Sequence, residues 1–119
     1  MKPDVYMPMF WLQFWQAVEG LPELTIVAYL RSLSYYWHHN HCQGLRNDDE
    51  FLRKLCRVDR EDWISVKEVV FDNEKFFIFD SDELWQQIRC KKEWIKSEEA
   101  LSRAQARGKL GAVARWGNK

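Results

Sequence analysis

The stretch ELTIVAYLRSLSYYW, Glu23 to Trp37, decides the fold, because its apolar pattern alone in this chain is wide enough to centre a core. Ile26, Leu30, Leu33 and Trp37 fall at i, i+4, i+7 and i+11, with Val27 and Tyr36 beside them, which is one broad face of a helix. Pro22 suits the first turn, where its missing N–H is not needed, and Glu23 sits at the positive end of the helix dipole. His38 and His39 mark the last turn.

Outward from that helix, the N-terminal side predicts a short extended piece over Met7–Trp11, since Pro8 disfavours helix just before itself. A helical turn or two follows over Trp11–Val18, ended by Gly20. On the C-terminal side HHNHCQGL is a connector. Asn47 with Glu50 three residues on reads as a capping box for a second helix, whose buried face is Phe51, Leu52, Leu55 and Cys56. Asp59 caps a third helix about a turn later, with Trp63, Val66 and Val70 inward.

Two helices joined so tightly form a helix-turn-helix candidate. Asp72 and Asn73 are turn chemistry and KFFIF, 75–79, is strand chemistry, so a hairpin is expected within Val69–Phe79, with the N-terminal extended piece available to pair with it. Ser81, Asp82 and Glu83 then open a long last helix with Leu84, Ile88 and Ile95 on one stripe and Trp94 and Leu101 beside it. The expected fold is therefore mainly α with a small β-hairpin: a winged-helix-like helix-turn-helix domain over 1–100. A basic, flexible tail follows over 101–119. Gly108 and Gly111 each cost about 1 kcal/mol in a helix interior, so the helix is expected to fray near Arg107.

A chain of 119 residues is one domain by length, and 30% charged with 46% apolar residues is ordinary for a globular protein. The seven Trp are unusual; core anchoring accounts for most of them, with one or two left as interface anchors. Net charge is zero, yet residues 1–90 hold 10 Lys and Arg against 15 Asp and Glu, whereas residues 91–119 hold 8 against 3. An acidic body with a basic arm points toward anions, nucleic acid first among them. Cys42, Cys56 and Cys90 are odd in number and not closely paired. With no signal-peptide plan and no membrane-length apolar run, this predicts a cytoplasmic address and no membrane.

The order of elements resembles the YdaU-like family of phage and prophage proteins, a domain of unknown function at the N-terminus of phage replication proteins. The likeness rests on MPMFW near the start, AYLRSLSYYW at 28–37, NDDEFLRKLCRV, the Trp63 helix, FFIF, and above all the ending ARGKLGAVARW. The chain departs from the family pattern at Pro22, Glu23, Leu24 and Val27. The resemblance implies a role in phage DNA replication, at the origin or beside a helicase loader.

The third helix, taken as Asp59–Phe71, carries Asp59, Glu61, Asp62 and Glu68 against Arg60 and Lys67, which suits the phosphates of a duplex poorly. The cations left for nucleic acid are Arg53, Lys54 and Arg57 on the second helix, Lys75 in the hairpin, and Lys91, Lys92 and Lys96 on the last helix. The tail adds Arg103, Arg107, Lys109 and Arg115, with Trp116 placed to stack on an unpaired base. Binding of single- or double-stranded DNA through them would be largely blind to sequence and sensitive to salt.

His38 and Cys42 would share a helix face at i, i+4, but zinc would also need Cys56 or Cys90 to converge, so no metal and no cofactor is expected. The chain lacks a phosphate-cradling glycine loop, a nucleophile motif and a spaced carboxylate pair, which argues against an enzyme. Two readings stand: a DNA-binding accessory of phage replication, and a protein-interaction or self-association module presenting the acidic third helix.

Overall fold

The computed structural model describes residues 10–116, with side chains described to residue 107. Among the described residues the elements run α1 (Trp11–Val18), α2 (Glu23–His38), β1 (Leu45–Arg46), α3 (Asp49–Cys56), α4 (Arg60–Val70), β2 (Ile78–Phe79), β3 (Leu84–Gln86) and α5 (Ile88–Trp116). The chain is mainly helical, with a small antiparallel sheet in the order β1-β3-β2.

The central position of α2 holds, but its buried face does not lie where the large aliphatics suggest. Thr25, Ala28, Tyr29, Ser32, Leu33, Tyr36 and Trp37 are buried, Ile26 and Leu30 only half so, and Val27 is exposed. The face is rotated by roughly a quarter turn from the aliphatic stripe. Small Ala28 and Ser32 let a neighbouring helix approach, and Ser32 avoids an unmet polar group by donating to the Ala28 carbonyl. Its hydroxyl also meets the Cys56 thiol at 3.1 Å, and Arg31 donates to the Cys56 carbonyl at the end of α3.

The tight joint between α3 and α4 forms as expected. Arg57 adopts a left-handed φ of 55° and its N–H bonds to the carbonyls of Arg53 and Lys54, turning the chain within three residues. The cap of α3 lies one residue later than the capping box predicts. Asp48, not Asn47, accepts from the Phe51 N–H, and Asn47 is used elsewhere, accepting from the Trp85 indole. Trp63, Val66 and Val70 point inward as predicted, and Leu52 and Cys56 are buried with Phe51 and Leu55 half-buried beside them.

The sheet departs from expectation in three ways. The hairpin is β2–β3, with Phe79 opposite Trp85 and a turn over 80–83, rather than a hairpin within Val69–Phe79. Val69 and Val70 complete α4 because they continue its inward stripe. Leu84, placed on the last helix by its acidic lead-in, is in β3, because Asp80 folds the turn back by accepting from the N–H groups of Asp82 and Leu84. The third strand is β1, from the connector. The expected extended N-terminal piece lies mostly outside the described residues, and Trp11 is already helical.

A buried amide joins sheet to helix. Gln86 accepts from the Tyr36 hydroxyl at 2.6 Å and donates to the Gln43 carbonyl and to Asp80, both at 2.9 Å. Every hydrogen-bonding capacity of its amide nitrogen is thereby met in a place where an unmet one is costly. Gly44, at φ +125°, fits against it; a Cβ there would stand 2.5 Å from the Gln86 amide nitrogen.

The expected fraying near Arg107 is also corrected: α5 continues helical to Trp116, since Ala, Leu, Arg and Lys, all strong helix formers, outweigh its two glycines. At 29 residues it is about 43 Å long by helical rise. The molecule measures 70 × 30 × 24 Å. Four of the Trp, at 37, 63, 85 and 94, are buried, whereas Trp11 and Trp15 are exposed.

Candidate nucleic-acid interface

On α5 one seam faces the body. Trp94 is buried and Cys90, Ser97 and Leu101 are half-buried, a spacing of four, three and four residues. Trp94 meets Trp37 edge-on at 5.0 Å between ring centres, stacks on His41 at 4.9 Å, and its indole N–H donates to Glu98. The predicted inward pair Ile88 and Ile95 is exposed instead, because the helix begins at Ile88 and its phase is set by Trp94.

The phase determines where the cations go. Arg89, Lys92, Lys96, Arg103 and Arg107 are all exposed, and at 100° per residue they lie within about 60° of one another, opposite the Trp94 seam. From Arg89 to Arg107 the stripe is about 27 Å long. Lys96 leans on Glu93 at 3.5 Å but keeps most of its surface. Lys91 lies off the stripe and is half-buried. Lys109, Arg115 and Trp116 belong to the part of α5 whose side chains are not described.

The other sequence candidates divide. Arg53 is taken up internally: it donates to both oxygens of Glu50 and to the Val58 carbonyl in the turn. Lys75 lies in the loop before β2 rather than in the hairpin, and its ammonium donates to the Ala17 carbonyl at the end of α1. Lys54 is exposed on α3 and Arg57 in the turn that follows it, so neither belongs to the α5 stripe. Arg89 is the residue that sequence reasoning missed. Its spacing of three and seven residues from Lys92 and Lys96 is the signal, and all three lie within the last helix as expected from the sequence.

On α4 the cations are engaged by α3. Lys67 meets Asp49 at 3.0 Å, the same carboxylate oxygen accepts from the Trp63 indole at 2.8 Å, and Arg60 reaches Glu50 at 3.6 Å. Those bonds hold the Asp49 carboxyl below its ordinary range, the indole bond first and the ammonium second. What α4 shows to solvent is Glu61, Asp62, Ile64, Ser65 and Glu68 beside Arg60.

The cysteines serve packing. Cys42 and Cys56 are buried and Cys90 is half-buried, all as free thiols, and burial pushes them up to about 12, 11 and 11. His38 and Cys42 share no helix face, because α2 ends at His38 and Cys42 has a left-handed φ of 56°. Among the described residues no group of three or more His, Cys, Asp or Glu is placed to hold a metal ion, and no helix is long and apolar enough to cross a membrane.

The chain matches no family model, and no curated protein or solved structure matches it.

Proposed function

We propose that this chain is a DNA-binding accessory protein, a winged-helix body carrying a cationic helix that grips single- or double-stranded nucleic acid largely without regard to sequence. The observation that carries the proposal is the stripe of five exposed cations on α5, facing away from the body. Phosphate neutralisation supplies most of the affinity in sequence-blind binding, and a line of cations about 27 Å long offers it without any base contact. The winged-helix assignment is supported by the order α2-β1-α3-α4-β2-β3 and the sheet order β1-β3-β2, with residues 80–83 as a very short wing. In such a domain α4 would ordinarily enter the major groove; its exposed Glu61, Asp62 and Glu68 speak for α5 instead. A place in phage DNA replication, beside a helicase loader, rests on the resemblance to the YdaU-like family alone.

The test is fluorescence anisotropy of labelled oligonucleotides with the full chain and with K92E/K96E/R103E/R107E. The reversal should weaken binding by at least about a hundredfold at low salt. The native chain should lose affinity with a log–log salt slope of about −3.5 on single strands, as five phosphate contacts imply. Unchanged binding by the reversed variant would overturn the proposal.

A second reading, self-association, is favoured by a different observation. Helix α1 has no charged residue and exposes Trp11, Leu12 and Trp15 at 53%, 68% and 55%. Grouped aromatic anchors of that kind are rare on a monomer without a partner. Here α1 of one copy would pack Trp11, Leu12 and Trp15 against the same face of a second. Sedimentation should then show a dimer that persists as salt rises, because apolar burial is not screened; a monomer at every salt concentration would dismiss it.

A further inference from the structure

We infer that the notch between α1, α2 and the head of α5 takes a single unpaired nucleobase, so that the protein prefers single-stranded to double-stranded nucleic acid. This inference rests on the reading of α5 as a nucleic-acid interface and deepens it. The notch is an open cavity of about 160 Å³, walled by Phe10, Phe14, Tyr29 and Phe76 with Gln13 and Arg89 at its edge. That is well below the roughly 300 Å³ at which drug-sized ligands are enclosed, so it suits one ring system rather than a whole ligand.

Its walls are aromatic rings packed on one another. Phe14 and Tyr29 are nearly parallel, 10° apart with centroids at 5.8 Å, and Tyr29 meets Phe76 at 4.4 Å. Burial pushes the Tyr29 phenol up to about 12, so the ring presents no charge, and its oxygen is already tied to the Gln87 amide. The edge favours an anion: the Arg89 guanidinium carbon lies 3.6 Å from the centre of the Phe10 ring, placed to meet a phosphate, and Glu93, also in the lining, limits how much negative charge enters.

Position makes the guest a base rather than a free aromatic acid. Arg89 is at once a wall of the notch and the first cation of the stripe, so a strand whose phosphates follow Lys92, Lys96, Arg103 and Arg107 brings a base to the notch at its end. In a duplex that base is paired and stacked and cannot enter. Stacking in such sites is sequence-tolerant because every base has a π-face, so this adds strand preference without sequence preference.

The experiment compares a single-stranded oligonucleotide with a hairpin duplex of the same length by anisotropy, using the full chain, F10A and Q13W, with circular dichroism to confirm folding. Phe10 and Gln13 are exposed, so neither change removes core packing; the first opens the wall and the second fills the mouth. The native chain should bind the single strand about tenfold or more tighter, and both variants should bring the two affinities together while keeping the salt slope. In parallel, dTMP but not inorganic phosphate should move the Gln13 and Gln87 side-chain amide resonances. Equal affinity for the two strands in the native chain, or a preference that survives both variants, would overturn the notch and leave the stripe standing. Loss of all DNA binding in the native chain would remove the stripe and the notch together.

Discussion

Helices α4 and α5 begin from comparable material, since each mixes acidic and basic residues with a buried Trp, yet they present opposite surfaces. On α4 the inward Trp63 donates to Asp49 of α3, Lys67 follows it to the same carboxylate, and Arg60 reaches Glu50. The cations turn toward a neighbour, and the acidic residues stay in water. On α5 the inward Trp94 bonds within its own helix to Glu98, and the cations lie on the opposite side. The two helices thus show solvent opposite signs of charge, with Lys67 held at the carboxylate that Trp63 also uses. A charge count along the chain cannot see this, because it weighs Lys67 and Lys92 equally.

The largest effect expected from breaking this contrast is at Trp94. Trp94→Ala removes the ring that packs on Trp37 and His41 and leaves a cavity under the first three turns of α5, costing about 3–5 kcal/mol of stability. Chemical denaturation read by circular dichroism measures it. DNA affinity under fully folding conditions should change far less, because the stripe lies on the opposite face. A loss of affinity as large as that of the charge reversal would mean that the stripe needs a docked α5.

How much of this was legible beforehand follows from how local each signal is. The α3–α4 joint, the Trp63–Val66–Val70 stripe and the central role of 23–37 were readable, because capping chemistry and helical period act over a few residues. The rotation of α2 was not, since Ala28 and Ser32 are buried for lack of bulk, which only the neighbouring α3 makes useful. Nor was the fate of 80–86. Ser81, Asp82 and Glu83 look like a helix start, yet Asp80 closes them into a turn and Gln86 is drawn into β3 by Tyr36, fifty residues away. Arg89 lies within the expected last helix all the same, three and seven residues before Lys92 and Lys96, but on the acidic side of a charge division drawn at residue 91. The charge of Arg53 and Lys75 is visible in the sequence, but their partners, Glu50 and the Ala17 carbonyl, are facts of the fold. Lys109, Arg115 and Trp116 lie beyond the described side chains.

An intermediate effect is expected from making α4 resemble α5. In E61K/E68K two exposed carboxylates become cations on the helix that a winged-helix domain would ordinarily insert into the major groove. Duplex affinity should rise about three- to tenfold at low salt, and the salt slope should steepen by up to about two, one for each added phosphate contact. Folding should change little, since both positions are exposed and neither makes an ion pair among the described residues. Anisotropy with the duplex hairpin checks this. Unaltered duplex binding would show that α4 stays remote from DNA even when its charge allows approach, and would confine the interface to α5.

The smallest effect tests the clamp that turns the cations of α4 inward. Asp49 titrates below its ordinary range in the folded chain because the Trp63 indole and the Lys67 ammonium both favour its carboxylate. A group whose folded value is depressed contributes stability above its unfolded value, near 3.9, and that contribution is lost as pH falls through the folded one. More than half of the Asp49 side-chain surface is open to solvent, so screening holds the contribution to under about 1 kcal/mol. Asp49→Asn keeps an acceptor for the indole but removes the charge. Denaturation midpoints of the native chain and of the variant should therefore differ slightly and steadily at pH 6–8, with the native chain the more stable, and converge as pH drops below about 4. The gap at neutral pH should also narrow in high salt, because the Lys67 half of the clamp is screened while the indole bond to the Asn oxygen is not. A gap that persists unchanged at pH 3 would mean that Asp49 acts through packing and its hydrogen bond alone. Lys67 would then be free to serve the outer face of α4, and the contrast with α5 would weaken accordingly.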